Sequence, residues 1–176
     1  MFHRSRFLTL CARIAIKPLR AGPLDISYAD ANNTRMPTIS DTIGHVDSRS
    51  IAIAAPRQVV IDLLADARRL PEWAPNFAQA VQPDGPHWRV DTGAGELEME
   101  VVVDAGAGTV DLIRPGDPSL GAKMRVIHNG DGCAFVFSIV FPPGTPQEAI
   151  DAQMATIDEE LVTVRGMAEA EAAAAA

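Results

Sequence analysis

Cys133 is the one thiol after residue 40, and His45, His87 and His128 stand singly, with no HExxH and no His/Cys pair at ligand spacing. No metal set can be assembled from that pattern. As a nucleophile Cys133 would need a neighbouring base, and it opens an apolar run in which a thiol is inert. His128 shares parity with Met124 and Val126, so in a strand it points where they point. There it could orient a ligand carbonyl or act as a general base; equally, it could sit beside the following hairpin in water. Arg125 and Glu160 complete the polar candidates. Glu160 adjoins an apolar helical stripe and could reach inward, whereas Asp158 and Glu159 read as solvated helix surface. The two Gly-Ala-Gly tripeptides at 93–95 and 106–108 fall between strands, so they are turns rather than phosphate cradles. No GxSxG or P-loop occurs, no catalytic residue is assigned, and no cofactor is expected.

The elements that must position these groups follow from periodicity. Residues 48–54 alternate, with Arg49, Ile51 and Ile53 on one side, and give a first strand. Pro56 stops it and opens a short helix over 56–67. A single further turn fits between Pro71 and Pro75 and carries Trp73. Strands follow near 78–82 (weakly marked), then at 87–92, 96–104, 109–113, 121–128 and 133–141, separated by turn signals. The strand 96–104 is the clearest, with Leu97, Met99, Val101 and Val103 on one face and Glu96, Glu98 and Glu100 on the other. Residues 114–120 read as a longer loop able to gate a cavity, and Asn129-Gly130-Asp131-Gly132 as a hairpin. The run 133–141 is apolar on both faces and predicts a strand covered on each side. In register, Arg89, Glu98, Glu100, Asp111, Lys123 and Arg125 can share one polar face as alternating signs.

The last element is a long amphipathic helix over 145–171. Thr145 and Glu148 form a capping box around Pro146. Ile150, Met154, Ile157, Leu161, Val164 and Ala168 then recur at spacings of four and three and make one stripe. Residues 172–176 are expected to fray.

At 176 residues the chain fits one domain, here 45–171. Six of the 15 Lys/Arg but two of the 23 acids fall in residues 1–40, so residues 41–176 carry a net charge of −12. A surface that acidic repels phosphate backbones and anionic lipid, which argues against nucleic acid as a partner. Residues 1–40 are expected to pack poorly, as a targeting peptide, an ordered extension, or the product of a mis-assigned start with Met36 as the alternative. Two cysteines without a CxxC point to a reducing, cytoplasmic setting, and no apolar run is long enough to span a bilayer. Nothing in the sequence sets an oligomeric state.

A strand, two short helices, six strands and one long helix, in that order, resemble the helix-grip fold. The run Ile51-Ala52-Ile53-Ala54-Ala55-Pro56-Arg57-Gln58-Val59-Val60 is similar to the strand, Ala-Pro, helix opening of the START-like (SRPBCC) superfamily. Leu70-Pro71-Glu72-Trp73 resembles the short second helix of its polyketide cyclase/dehydrase-like branch. Residues 132–137 and Glu160-Leu161 also fit. The resemblance implies an α+β domain, a curved antiparallel sheet of about seven strands wrapped around the C-terminal helix, with a cavity between them. It also implies a small hydrophobic ligand such as a lipid or polyketide, bounded by Trp73, Phe77, Trp88, Met99, Val101, Leu112, Met124, Phe135, Phe137, Met154, Ile157 and Leu161. Three functions are in play: a binding protein, a cyclase/aromatase-type enzyme working without metal or covalent nucleophile, and a protein–protein interaction module. An open cavity favours the first two. Convergence of His128 with Arg125 or Glu160 inside it would favour the second, and a filled interior with a large exposed apolar patch the third.

Overall fold

The structure is a computed structural model that describes residues 43–175. The expected extension over 1–40, with Cys11 and Met36, lies outside the described residues, as does Ala176.

Strand β1 (His45–Ile53) leads into helix α1 (Arg57–Ala65), a 3₁₀ turn (Ala67–Arg69) and the one-turn helix α2 (Leu70–Trp73). Six strands follow: β2 (Ala80–Asp84), β3 (His87–Asp91), β4 (Glu96–Asp104), β5 (Thr109–Arg114), β6 (Asp117–Asn129) and β7 (Gly132–Phe141). Helix α3 (Gln147–Ala174) ends the chain. The strands form one antiparallel sheet in the order β1-β7-β6-β5-β4-β3-β2, and the helices pack on a single face of it. This is the helix-grip arrangement.

The local reasons are legible. Pro56 sits at the N-cap of α1 with extended backbone, and Asp66 caps the 3₁₀ turn by accepting from the Arg68 N–H. Arg57 then anchors α1 to the sheet: its Nε donates to the Val126 carbonyl at 2.8 Å and its Nη2 to the Gly106 carbonyl at 3.1 Å. The inward face of β4 buries Met99, and that of β5 buries Val110 and Leu112. On the outward face Asp111 pairs with Lys123 and Arg125, each at 3.3 Å, while Arg89 reaches Asp84 at 2.7 Å and His87 reaches Glu98 at 2.6 Å. The expected sharing of one polar face by opposite charges is realised for Asp111 with its two cations.

Three expectations need correction. The segment 114–120 is no long loop: Arg114 pairs directly with Asp117, and the ladder resumes at Ile113 opposite Gly121. Pro118, Ser119 and Leu120 form a bulge, where a proline costs no ladder hydrogen bond. Strand β7 is covered on one face only. Cys133, Phe135, Phe137 and Phe141 are buried, but Val140 on the other face is 40% exposed. Its outward side chains are apolar for cross-strand packing, not for a second layer. Finally, Thr145 does not cap α3. Its hydroxyl donates to the Pro142 carbonyl at 2.7 Å, closing the turn before the helix, and Pro146 takes the N-cap position with no side-chain cap.

Helix α3 runs three residues further than its stripe suggested. Ala172 packs partly against the core, and Glu171 pairs with Arg69 at 2.5 Å, so the last turn has partners. Two more contacts fix the helix on the β1 side: Glu169 accepts from the Ala54 N–H at 2.8 Å, and Asp158 pairs with Arg49 at 3.1 Å. Helix α3 lies close to β1, α1 and α2. Between Gln153 and Glu160 of this helix and the middle strands an interior space remains.

Candidate functional site

The space is a cavity of about 430 Å³, within the range of small-molecule sites. Its floor is the start of β4 (Leu97, Met99), the end of β5 (Leu112, Ile113) and Ala122 of β6. One side is the end of β7 with Phe137, Ile139 and Phe141. Helix α2 and the turn after it close the other side with Leu70, Trp73, Ala74 and Phe77, and Gln153 and Glu160 face it from α3. Arg114, Pro115, Leu120 and Pro142 border its mouth. The β5–β6 bulge is what opens this end of the sheet. Gly121 lies there at φ +123°, and a Cβ at that position would collide with the Leu112 carbonyl.

Of the twelve apolar residues proposed for the wall, Trp73, Phe77, Met99, Leu112 and Phe137 border the cavity. Met124, Phe135, Met154, Ile157 and Leu161 are buried in the packed core instead, and Val101 and Trp88 are half-buried against that core. They share faces with wall residues but are packed into the buried core cluster. Leu97, Ile139 and Phe141 belong to the wall without having been singled out. Parity was the available signal, since Leu97 alternates with Met99, and Ile139 and Phe141 with Phe137. Gln153 had none beyond standing seven residues before Glu160, on the same flank of the stripe.

The polar candidates separate. His128 is exposed at the end of β6 beside the hairpin, away from the cavity. Arg125 is exposed on the outer face, donating to the Met124 carbonyl at 2.8 Å and pairing with Asp111. Both are corrected as cavity groups. His128 keeps the parity of Met124 and Val126 but is exposed beside the hairpin; Arg125 has the opposite parity to Met124. Glu160 alone reaches inward. It is 6% exposed, and burial, with a smaller contribution from the neighbouring Glu159 charge, raises its pKa to about 8. At neutral pH it is therefore mostly a protonated carboxyl.

A second polar atom shares the site. The Trp73 indole is 3% exposed, and among the described residues neither its Nε1 nor the Glu160 Oε1 has a hydrogen-bond partner. Cys133 is fully buried in the core, where burial pushes its thiol pKa up against the opposing pull of Arg57. That is the environment of an inert thiol.

Solved structures with this arrangement were found by comparison. XoxI from Bacillus cereus aligns with a TM-score of 0.56 at 13% identity, over 70% of this chain and 94% of its own. A START superfamily protein from Mycobacterium smegmatis aligns with 0.53 at 14%, over 72% and 98%. The aromatase/cyclase Zhui from a Streptomyces species aligns with 0.50 at 18%, over 71% and 93%. The chain has the START-like fold. No protein-family model and no curated protein sequence matches it, so the likeness is carried by the START-like backbone. In this chain the cavity lies between the sheet and the long helix, with Glu160 and Trp73 in its wall.

Proposed function

We propose that this chain binds a small hydrophobic molecule in the cavity between the sheet and α3. The observation that carries the reading is the cavity itself, about 430 Å³ with a mainly apolar wall between the sheet and α3. Burial of a ligand's apolar surface there supplies affinity at roughly 25 cal/mol per Å² before ordering costs. A lipid or a polyketide-like molecule is the kind of ligand this suits. The acidic surface weighs against nucleic acid, and among the described residues no helix is long and apolar enough to cross a membrane. A cytoplasmic location remains part of the proposal, on the cysteine pattern.

A cyclase- or aromatase-type activity is the second reading, and one observation favours it. A carboxyl with pKa about 8 inside a cavity is suited to general acid–base work near neutral pH. Against it, Arg125 and His128 lie outside, so Glu160 is the only one of the three polar candidates at the wall. A filled interior and a large exposed apolar patch would favour the interaction-module alternative, and the open space weighs against it.

Indole N–H resonances test the binding reading. The chain has two tryptophans, Trp73 at the wall and Trp88 beside it. Titration with the neutral probe N-phenyl-1-naphthylamine should move the Trp73 signal and leave Trp88 nearly in place. Shifts confined to Trp88, or none at either indole, would reject the cavity as the site.

A further inference from the structure

Two buried polar atoms in a mainly apolar wall, which also includes Gln153, constrain what can occupy it. The Trp73 indole N–H is a donor only, and it has no partner among the described residues. Leaving such a donor dry is unfavourable, and a ligand acceptor would offset that cost. Glu160 offers a carboxyl oxygen in the same state, and its proton makes it a second donor below its raised pKa. An ammonium ligand has only donors to present and would leave the indole unsatisfied. A carboxylate ligand would have to enter beside Glu160 and Glu159, and either ion would be stripped of water in an apolar cavity.

We propose that the cavity selects uncharged apolar molecules carrying a carbonyl-type oxygen, and that Glu160 and the Trp73 indole N–H bind that oxygen. This rests on the binding reading above and adds the chemical class of the ligand. The surroundings favour keeping Glu160 neutral. On its own helix the nearby charge is Glu159, which opposes ionisation. On α2, Glu72 is already paired with Arg69 at 3.1 Å, and on β4 the Glu98 side chain turns outward to His87. Glu96 and Arg114 lie toward the mouth, and α1, β6 and β7 turn apolar side chains inward: Leu63, Ala122 and Phe137 among them.

Competition against bound N-phenyl-1-naphthylamine tests this with four probes of one skeleton: 2-acetylnaphthalene, 2-isopropylnaphthalene, 2-naphthoate and 2-naphthylmethylamine. At about pH 6 the ketone should bind about tenfold tighter than the isopropyl hydrocarbon, the worth of one buried hydrogen bond. Both ions should bind more weakly than the ketone. Above about pH 9 the ketone's advantage should shrink as Glu160 loses its proton. Glu160→Gln, which keeps a neutral donor, should retain the advantage and lose its pH dependence. Glu160→Leu and Trp73→Phe should each bring the ketone-to-hydrocarbon ratio toward one, a ratio that cancels any general loss of binding. Equal binding of ketone and hydrocarbon to the parent protein would overturn the inference while leaving the cavity reading standing, as would tightest binding of the amine or the naphthoate. Failure of N-phenyl-1-naphthylamine and of all four probes to bind, the hydrocarbon included, would overturn both.

Discussion

Glu160 is held by the fold in a place that suits its neutral form, and this has a thermodynamic consequence. Its pKa rises from the ordinary carboxylate range to about 8 on folding. Between those values the native state binds more protons than the unfolded chain, so stability falls as pH rises through the window and levels off above it. Below the ordinary value both states are protonated and the group is silent. Glu160→Gln removes the titration. Urea unfolding of the variant against its parent should show a relative gain on the order of 2–3 kcal/mol at about pH 9 compared with about pH 5.5. An equal difference at both pH values would contradict the burial of an ionisable Glu160. Cys133 makes the opposite kind of prediction. In a Cys11→Ser background, iodoacetamide should label Cys133 at least about a hundredfold faster in urea than in the native state. The sequence marked Glu160 as adjoining the stripe but could not tell burial from solvation, because one residue's step around a helix is only about 100°. For His128 the sequence left cavity and water open, because parity gives the face of a strand but not whether that position is covered; the structure places it in water.

At the level of elements, the β5–β6 junction decides the shape of the site. Proline and glycine at 115, 116 and 118 gave a loop signal, whereas the structure resolves them into a tight turn and a three-residue bulge. Sequence punctuation records that a ladder is interrupted, not by how much. Gly121 follows that bulge at positive φ, with the Leu112 carbonyl where a Cβ would stand. Gly121→Val should therefore cost about 2–3 kcal/mol by thermal or urea unfolding, with φ strain and the clash adding together. A change within about 0.5 kcal/mol would show that the bulge is not held as described. The strands themselves were the legible part. Leu97 and Met99 against Glu96 and Glu98 gave β4 its two faces, because a period of two leaves no choice once one face is buried. Helix α3 was legible in its stripe and not in its start, since Thr145 satisfies a loop carbonyl instead of a helix N–H.

For the whole molecule, the central question is whether the space between sheet and helix takes up a ligand. Fold order could be read from the sequence, but the border between wall and core could not. Residues on one face become one or the other according to how far α3 stands off the sheet, and that distance is set by contacts far apart in the chain, such as Arg49 with Asp158 and Glu169 with Ala54. Met154 and Ala122 separate the two roles. Met154→Trp should overpack the core and destabilise the domain by about 1–3 kcal/mol. Ala122→Phe instead projects a ring into the cavity and should leave the melting temperature within a few degrees of the parent. The most direct measurement is a fluorescence titration of N-phenyl-1-naphthylamine into the parent chain and Ala122→Phe. The account predicts saturable uptake of one probe per parent chain and at least about tenfold weaker uptake by the variant at unchanged stability. Equal uptake by both, or none that saturates in the parent, would contradict it.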